Sequence, residues 1–150
     1  MPCIFCSIVS GEAPSHKIWE DENHLAFLSI FPNTRGTTVV IPKQHAASYV
    51  FAVAPKIMHD LMDAAARVAA LIDTRLPNVG RTGLIFEGFG VNHLHAKLFP
   101  LHDTAAPDWQ PVNSSVTKMF ETYEGYLSSH DGPRADDNEL AEIARVLRGT

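Results

Sequence analysis

Gly88-Phe89-Gly90-Val91-Asn92-His93-Leu94-His95-Ala96-Lys97-Leu98-Phe99 is the stretch on which the reading of this chain turns. Polar and apolar side chains alternate from Asn92 onward, the period of a β-strand whose successive side chains point to opposite faces. Leu94, Ala96 and Leu98 then face a core, while His93, His95 and Lys97 line the other face. Neighbours on that face are roughly 6 to 7 Å apart, given a rise of ~3.3 Å per residue. Three nitrogen-bearing groups in a row, backed by hydrophobic packing, suit an anionic ligand. Gly88 and Gly90 just before them let backbone N–H groups approach a ligand with no Cβ in the way. The alternative is a half-exposed strand whose polar residues simply face water.

Working outward, the pattern predicts a strand over Val91 to Phe99 and another over Gly83 to Glu87. A long helix precedes them: Pro55 sits in its first turn, Ile57, Leu61, Ala65, Val68 and Ile72 recur at helical spacing, and Pro77 lies beyond its end. Further upstream, Thr37 to Ile41 is a β-branched strand stopped by Pro42. Lys17 to Glu20 and Leu25 to Ile30 form two more strands around the turn Asp21-Glu22-Asn23. Ile4, Phe5, Ile8 and Val9 make a short helical stripe ended by Gly11 and Pro14. Downstream, Asp103 to Pro111 and Ser128 to Arg134 are loop-like. The last element is a short helix with Asp136 as N-cap, Glu139 three residues on, and Gly149 after its end.

A chain of 150 residues, 45% of them hydrophobic, suits one compact domain. Charged residues make up 19%, a deficit that hints at surface covered by another subunit. The formal net charge of -5 argues against a nucleic-acid backbone as partner, because such proteins present basic surfaces. A small anion such as a nucleotide needs only local positive charge and aimed N–H groups. Residues 1 to 10 lack the basic start and apolar stretch of a signal peptide, and no run approaches the ~18 apolar residues that cross a bilayer. Cys3 and Cys6 stand three positions apart, which in an intracellular protein favours metal or redox chemistry over a structural staple. The expectation is a cytoplasmic protein with no nucleic-acid or membrane partner.

The central motif resembles that of the histidine triad (HIT) family, His-φ-His-φ-His-φ-φ with φ apolar. Here it reads His93-Leu94-His95-Ala96-Lys97-Leu98-Phe99, with lysine in place of the third histidine. The resemblance also covers Cys3-Ile4-Phe5-Cys6-Ser7-Ile8, Leu25-Ala26-Phe27-Leu28-Ser29-Ile30, and Gly36-Thr37-Thr38-Val39-Val40-Ile41-Pro42-Lys43-Gln44-His45, in the family's order. It implies an α+β fold, with a five-stranded antiparallel sheet and two main helices over residues 1–102. Residues 103–150 would be a C-terminal extension packed on the same domain and ending in a short helix. It further implies a homodimer that cleaves nucleoside phosphoramidates or dinucleoside polyphosphates at the α-phosphorus, through a covalent nucleotidyl-histidine. A nucleotidyl transferase, or a nucleotide-binding regulatory protein with little turnover, are the competing readings.

By position, the resemblance makes His95 the nucleophile and His93 its supporting neighbour, with Lys97 and the Gly88 and Gly90 backbone as donors to phosphate. Ile4, Phe5, Ile8, Phe27 and Ile30 become the walls around base and ribose, and Asn33 joins the nucleotide-binding set. Ser29 stands where many members place an aspartate for the ribose hydroxyls; it offers one hydroxyl instead of two carboxylate oxygens. Cys3-x-x-Cys6 is half of a tetrahedral zinc site on spacing alone, and two ordinary thiols fit as well. Related proteins complete such a pair with two histidines, at positions matching His45 and His93. The resemblance thus implies a structural zinc on Cys3, Cys6, His45 and His93, with metal-free thiols as the alternative and no organic cofactor.

Overall fold

The computed structural model describes residues 2–149. In chain order the elements are α1 (Ile4–Ser10), β1 (Lys17–Glu20), β2 (His24–Leu28), β3 (Thr38–Pro42), a single 3-10 turn (Val50–Ala52), α2 (Pro55–Arg75), β4 (Val79–Ile85), β5 (Ala96–His102) and α3 (Asp137–Arg148). The five strands form one antiparallel sheet in the order β1-β2-β3-β5-β4, the α+β architecture expected. Asp21 Oδ1 accepts the N–H groups of Asn23 and His24, which fixes the tight turn between β1 and β2.

Both sheet faces are covered, so the central strands carry no solvent face and every residue of β3 is buried. On one face, Ala26, Val40, Ala96 and Leu98 pack with Leu61, Ala64, Ala65, Val68 and Ile72 of α2. On the other, Leu25, Phe27, Val39 and Ile41 pack with Phe5, Ile8 and Val9 of α1. Pro55 opens α2 at a position where its missing N–H costs nothing, and the helix stops just before Pro77 disfavours further helical backbone. Leu61 is fully buried in that helix. Leu61→Ala is expected to destabilise the domain by about 2–5 kcal/mol, through lost transfer energy plus a cavity. Urea unfolding reads this as a lower midpoint at unchanged slope.

β2 ends at Leu28 rather than Ile30, and β3 takes in Pro42, paired with His24, rather than stopping before it. Two further strands differ more from the sequence expectation. The last core strand begins at Ala96 and not at Val91, because residues 88–95 form a looped approach to it. Its neighbour runs Val79–Ile85 rather than Gly83 to Glu87; it is defined by pairing with β5, from Val79↔His102 to Ile85↔Lys97, more than by its own alternation. Gly80 belongs in that strand because a Cβ there would lie 2.5 Å from the Thr104 carbonyl oxygen.

The chain divides into two compact units, Met1–Trp109 and Gln110–Thr150. Within the second, Phe120 packs edge-on to Tyr126 at 5.2 Å, and His130 Nε2–H donates to the Lys118 carbonyl at 2.7 Å. α3 carries the predicted caps: Asp136 accepts from the N–H groups of Asn138 and Glu139, and Gly149 closes it at φ 75°. Among the described residues no helix is long and apolar enough to cross a membrane.

Candidate active site and metal centre

α1 is a helix of seven residues, too short to persist alone, and its position rests on what it docks against. Cys3 is its N-cap, with Sγ accepting the Cys6 N–H at 3.5 Å, and Gly11 ends it at φ 83°. One face carries Phe5 and Ile8 onto the sheet. The helix start carries Cys3 and Cys6 to two histidines from distant parts of the chain. Cys3 Sγ lies 3.4 Å from His93 Nδ1; Cys6 Sγ lies 3.5 Å from the same atom and 3.4 Å from His45 Nδ1. All four donor atoms fall within 4.8 Å of one another.

That spacing tests the zinc expectation directly. A tetrahedral ion with bonds of about 2.3 Å to sulfur and 2.0–2.1 Å to nitrogen holds neighbouring S and N donors about 3.6 Å apart. The observed separations of 3.4 to 3.5 Å match it, and two thiols with two imidazoles are a zinc donor set. His93 also has the outer bond such a ligand wants, since its Nε2–H donates to the Pro42 carbonyl at 2.8 Å. A carbonyl can only accept, so the proton sits on Nε2 and Nδ1 keeps its lone pair for the thiol pair. The residues fit the metal.

The same logic fixes His95. Its Nδ1–H donates to the His93 carbonyl at 2.7 Å, which leaves Nε2 with a free lone pair in the neutral ring. The side chain is nearly enclosed, with 6% of the residue exposed, and packs edge-on to Phe5 at 5.4 Å between ring centroids. Phe5 in turn meets Phe27 at 5.5 Å. Burial is the largest influence on His95 and pushes its pKa down; the Lys97 charge pushes the same way, against the His93 bond and Glu87. Burial likewise lowers the pKa of His93, against its bond to Pro42. Lowered values keep both rings neutral at pH 7, the form in which an imidazole is a nucleophile or a ligand.

Lys97 lies on β5 between Val39 and Ile85, on the α1 side of the sheet, with Nζ 5.8 Å from the Phe99 ring centroid. The alternation read from sequence therefore holds for Leu94, Ala96 and Leu98, which join the α2 core. The histidines differ: they precede the strand and are buried, His93 completely. Phe5, Ile8 and Phe27 form one packed wall, whereas Ile4 and Ile30 stand 49% and 71% exposed at its edge. Ser29 Oγ accepts the Phe31 N–H at 3.2 Å, and Asn33 Oδ1 accepts from the Thr37 hydroxyl at 3.4 Å. Gly88 and Gly90 have φ of 79° and 86°, backbone that a side chain would strain.

Other histidines lie apart from this centre. His102 Nε2–H donates to the Arg35 carbonyl at 2.8 Å, and His24 Nδ1 lies 3.3 Å from Asp21 Oδ1. A concavity of about 250 Å³ beside His24, on the α2 side of the sheet, is lined by Asp21, Lys56, Asp60 and Arg67. Its charges already satisfy each other, with Lys56 2.8 Å from Asp60.

The HIT domain family model matches residues 10–104. The chain belongs to the HIT family. A HIT-like protein of Mycobacterium tuberculosis is 44% identical over 69 residues, 46% of this chain and 47% of that protein, so the chain spans about half the length of that relative. The adenosine 5'-monophosphoramidase of Saccharomyces cerevisiae is 29% identical over 133 residues, 87% of this chain and 84% of that enzyme. Among solved structures, a zinc-bound histidine triad family protein from Mycobacterium smegmatis aligns over 100% of this chain and 99% of its own. Its TM-score is 0.63 at 26% identity.

Proposed function

We propose that this HIT protein is a nucleotide hydrolase that cleaves at the α-phosphorus of a nucleoside phosphoramidate or dinucleoside polyphosphate, with His95 as nucleophile. The observation that carries the reading is the His95 Nδ1–H bond to the His93 carbonyl, which commits the ring to the tautomer with a bare Nε2. The similarity to a yeast adenosine monophosphoramidase supports the substrate class. In the first step Nε2 forms a bond to the α-phosphorus, and the bond to the leaving group breaks with its electron pair on that group; a phosphate leaves as the anion, and an amine leaves with a proton taken from solvent. In the second, water loses a proton as it displaces His95, releasing the nucleoside monophosphate. Lys97 and the N–H groups of the 88–90 loop are the donors for the non-bridging oxygens. Phe5, Ile8 and Phe27, with Ile4 and Ile30 at the edge, take the nucleoside, and Ser29 and Asn33 lie at its ribose side.

Cys3, Cys6, His45 and His93 would hold a zinc ion, which supplies structural closure and no open position for substrate. The similarity to a zinc-bound protein from Mycobacterium smegmatis supports zinc as the ion. A homodimer fits the edge position of β4. The test of the activity is direct: mix the protein with adenosine 5'-phosphoramidate, follow AMP, and examine the quenched protein by mass spectrometry for a nucleotidyl adduct. Turnover with an adduct is expected; binding without turnover moves the protein to the regulatory class.

Lys97 sharpens the substrate expectation. An ammonium gives up its proton far less readily than an imidazolium near neutrality, so a leaving amine gains little from it and a polyphosphate loses little. Lys97→His is expected to lower the preference for diadenosine polyphosphate over phosphoramidate by about 10-fold or more in kcat/KM, within the range of general acid catalysis. An unchanged ratio removes this role for Lys97.

A further inference from the structure

Ser48 makes two hydrogen bonds to opposite ends of one short loop. Its Oγ–H donates to the Gly88 carbonyl at 2.9 Å, and its backbone N–H donates to Asn92 Oδ1 at 3.1 Å. Two residues earlier, the Ala46 carbonyl accepts the Leu94 N–H at 2.8 Å. Residues 46–48 therefore act as a bracket across residues 88–94, outside any regular element. A loop holding two glycines at positive φ gains definition from such tethers, because glycine has more accessible backbone states than any other residue. The Gly88 carbonyl turned to Ser48 fixes the peptide plane between residues 88 and 89, and Asn92 fixes the exit into His93.

We infer that Ser48 is a positioning residue for phosphate recognition: its two bonds hold the 88–92 backbone in the shape that presents N–H groups to the α-phosphate. This rests on the reading of that loop as the phosphate contact. It adds a residue outside the triad motif, the nucleoside wall and the metal donors. Ser48 touches no reacting atom; it acts through the loop. Asn92, which supplies the acceptor at the loop's far end, belongs to the same device.

The experiment compares binding of AMP and of adenosine to the wild type, Ser48→Ala and Asn92→Ala, by calorimetry on the full chain, with Tm recorded for each. Wild type is expected to bind AMP more tightly than adenosine. In both variants AMP affinity falls by about 10-fold, the worth of one or two buried-edge hydrogen bonds, while adenosine affinity stays the same. If wild type does not distinguish AMP from adenosine, the loop is not a phosphate site and the parent reading fails. If wild type distinguishes them and both variants do so equally well, Ser48 has no positioning role. An equal loss for both ligands, accompanied by a fall in Tm, also overturns the inference, since it marks a general structural contribution.

Discussion

With His95 as the proposed nucleophile, His95→Ala is expected to yield no nucleotidyl adduct and to turn over adenosine phosphoramidate slower than wild type by about 10⁴-fold or more, the scale on which losing a covalent nucleophile is felt. The expectation follows from how narrowly the ring is specified. Nδ1 is committed to the His93 carbonyl, the ring edge meets Phe5, and only 6% of the residue reaches solvent. His93 and His102 are committed differently: His93 Nδ1 faces two thiols and His102 Nε2 is held by the Arg35 carbonyl. Alanine would remove the proposed nucleophile and leave the packed wall of Phe5, Ile8 and Phe27 in place, so AMP binding is expected to persist within a few fold. Single-turnover quench with intact-protein mass spectrometry, alongside calorimetry, checks both halves. A mutant that still forms the adduct would place the nucleophile elsewhere and sink the assignment.

Removing metal is expected to lower Tm by about 6–12 °C. That range corresponds to about 3 kcal/mol of ligand linkage, at roughly 2–4 °C per kcal/mol for a chain of this size. Four donors within 4.8 Å join α1 to the loop after β3 and to the approach to β5. Without the ion, α1 is held by Phe5, Ile8 and Val9 alone. A chelator should lower Tm of the wild type, and Cys6→Ser should start low and respond little further, because chelator and mutation remove the same bonds. The effect on the chemical step is smaller, since His95 keeps its own bond to the His93 carbonyl. Metal analysis giving about one zinc per chain accompanies this outcome; no bound metal with an unchanged melting point removes the site.

Much of the frame was legible because period and punctuation agree with tertiary packing. The stripe Leu61, Ala65, Val68 and Ile72 is the buried face of α2, and Pro55 and Pro77 bracket it. Leu94, Ala96 and Leu98 fall in the core as alternation requires. What failed to read was set by partners far away in sequence. β4 contains two glycines and little alternation, and it is a strand because β5 pairs with it. Alternation placed His93 on a solvent or ligand face, yet it is fully buried, held by Pro42 and by thiols some 90 positions earlier in the chain. Ser48 left no signal at all: a serine in an irregular run looks like any other until the loop it bonds is seen beside it.

The order in which the donors occur along the chain has a consequence for how the molecule matures. Cys3 and Cys6 precede their partner His93 by 90 and 87 positions. A ribosome releases the two sulfurs long before it makes the imidazole that faces them, and pairings at such separation form late in folding. Until β5 is synthesised and zipped against β3, the thiols stay open to oxidants and stray ions. Capture of an ion by all four donors would therefore be a seal on a finished domain rather than a seed for it.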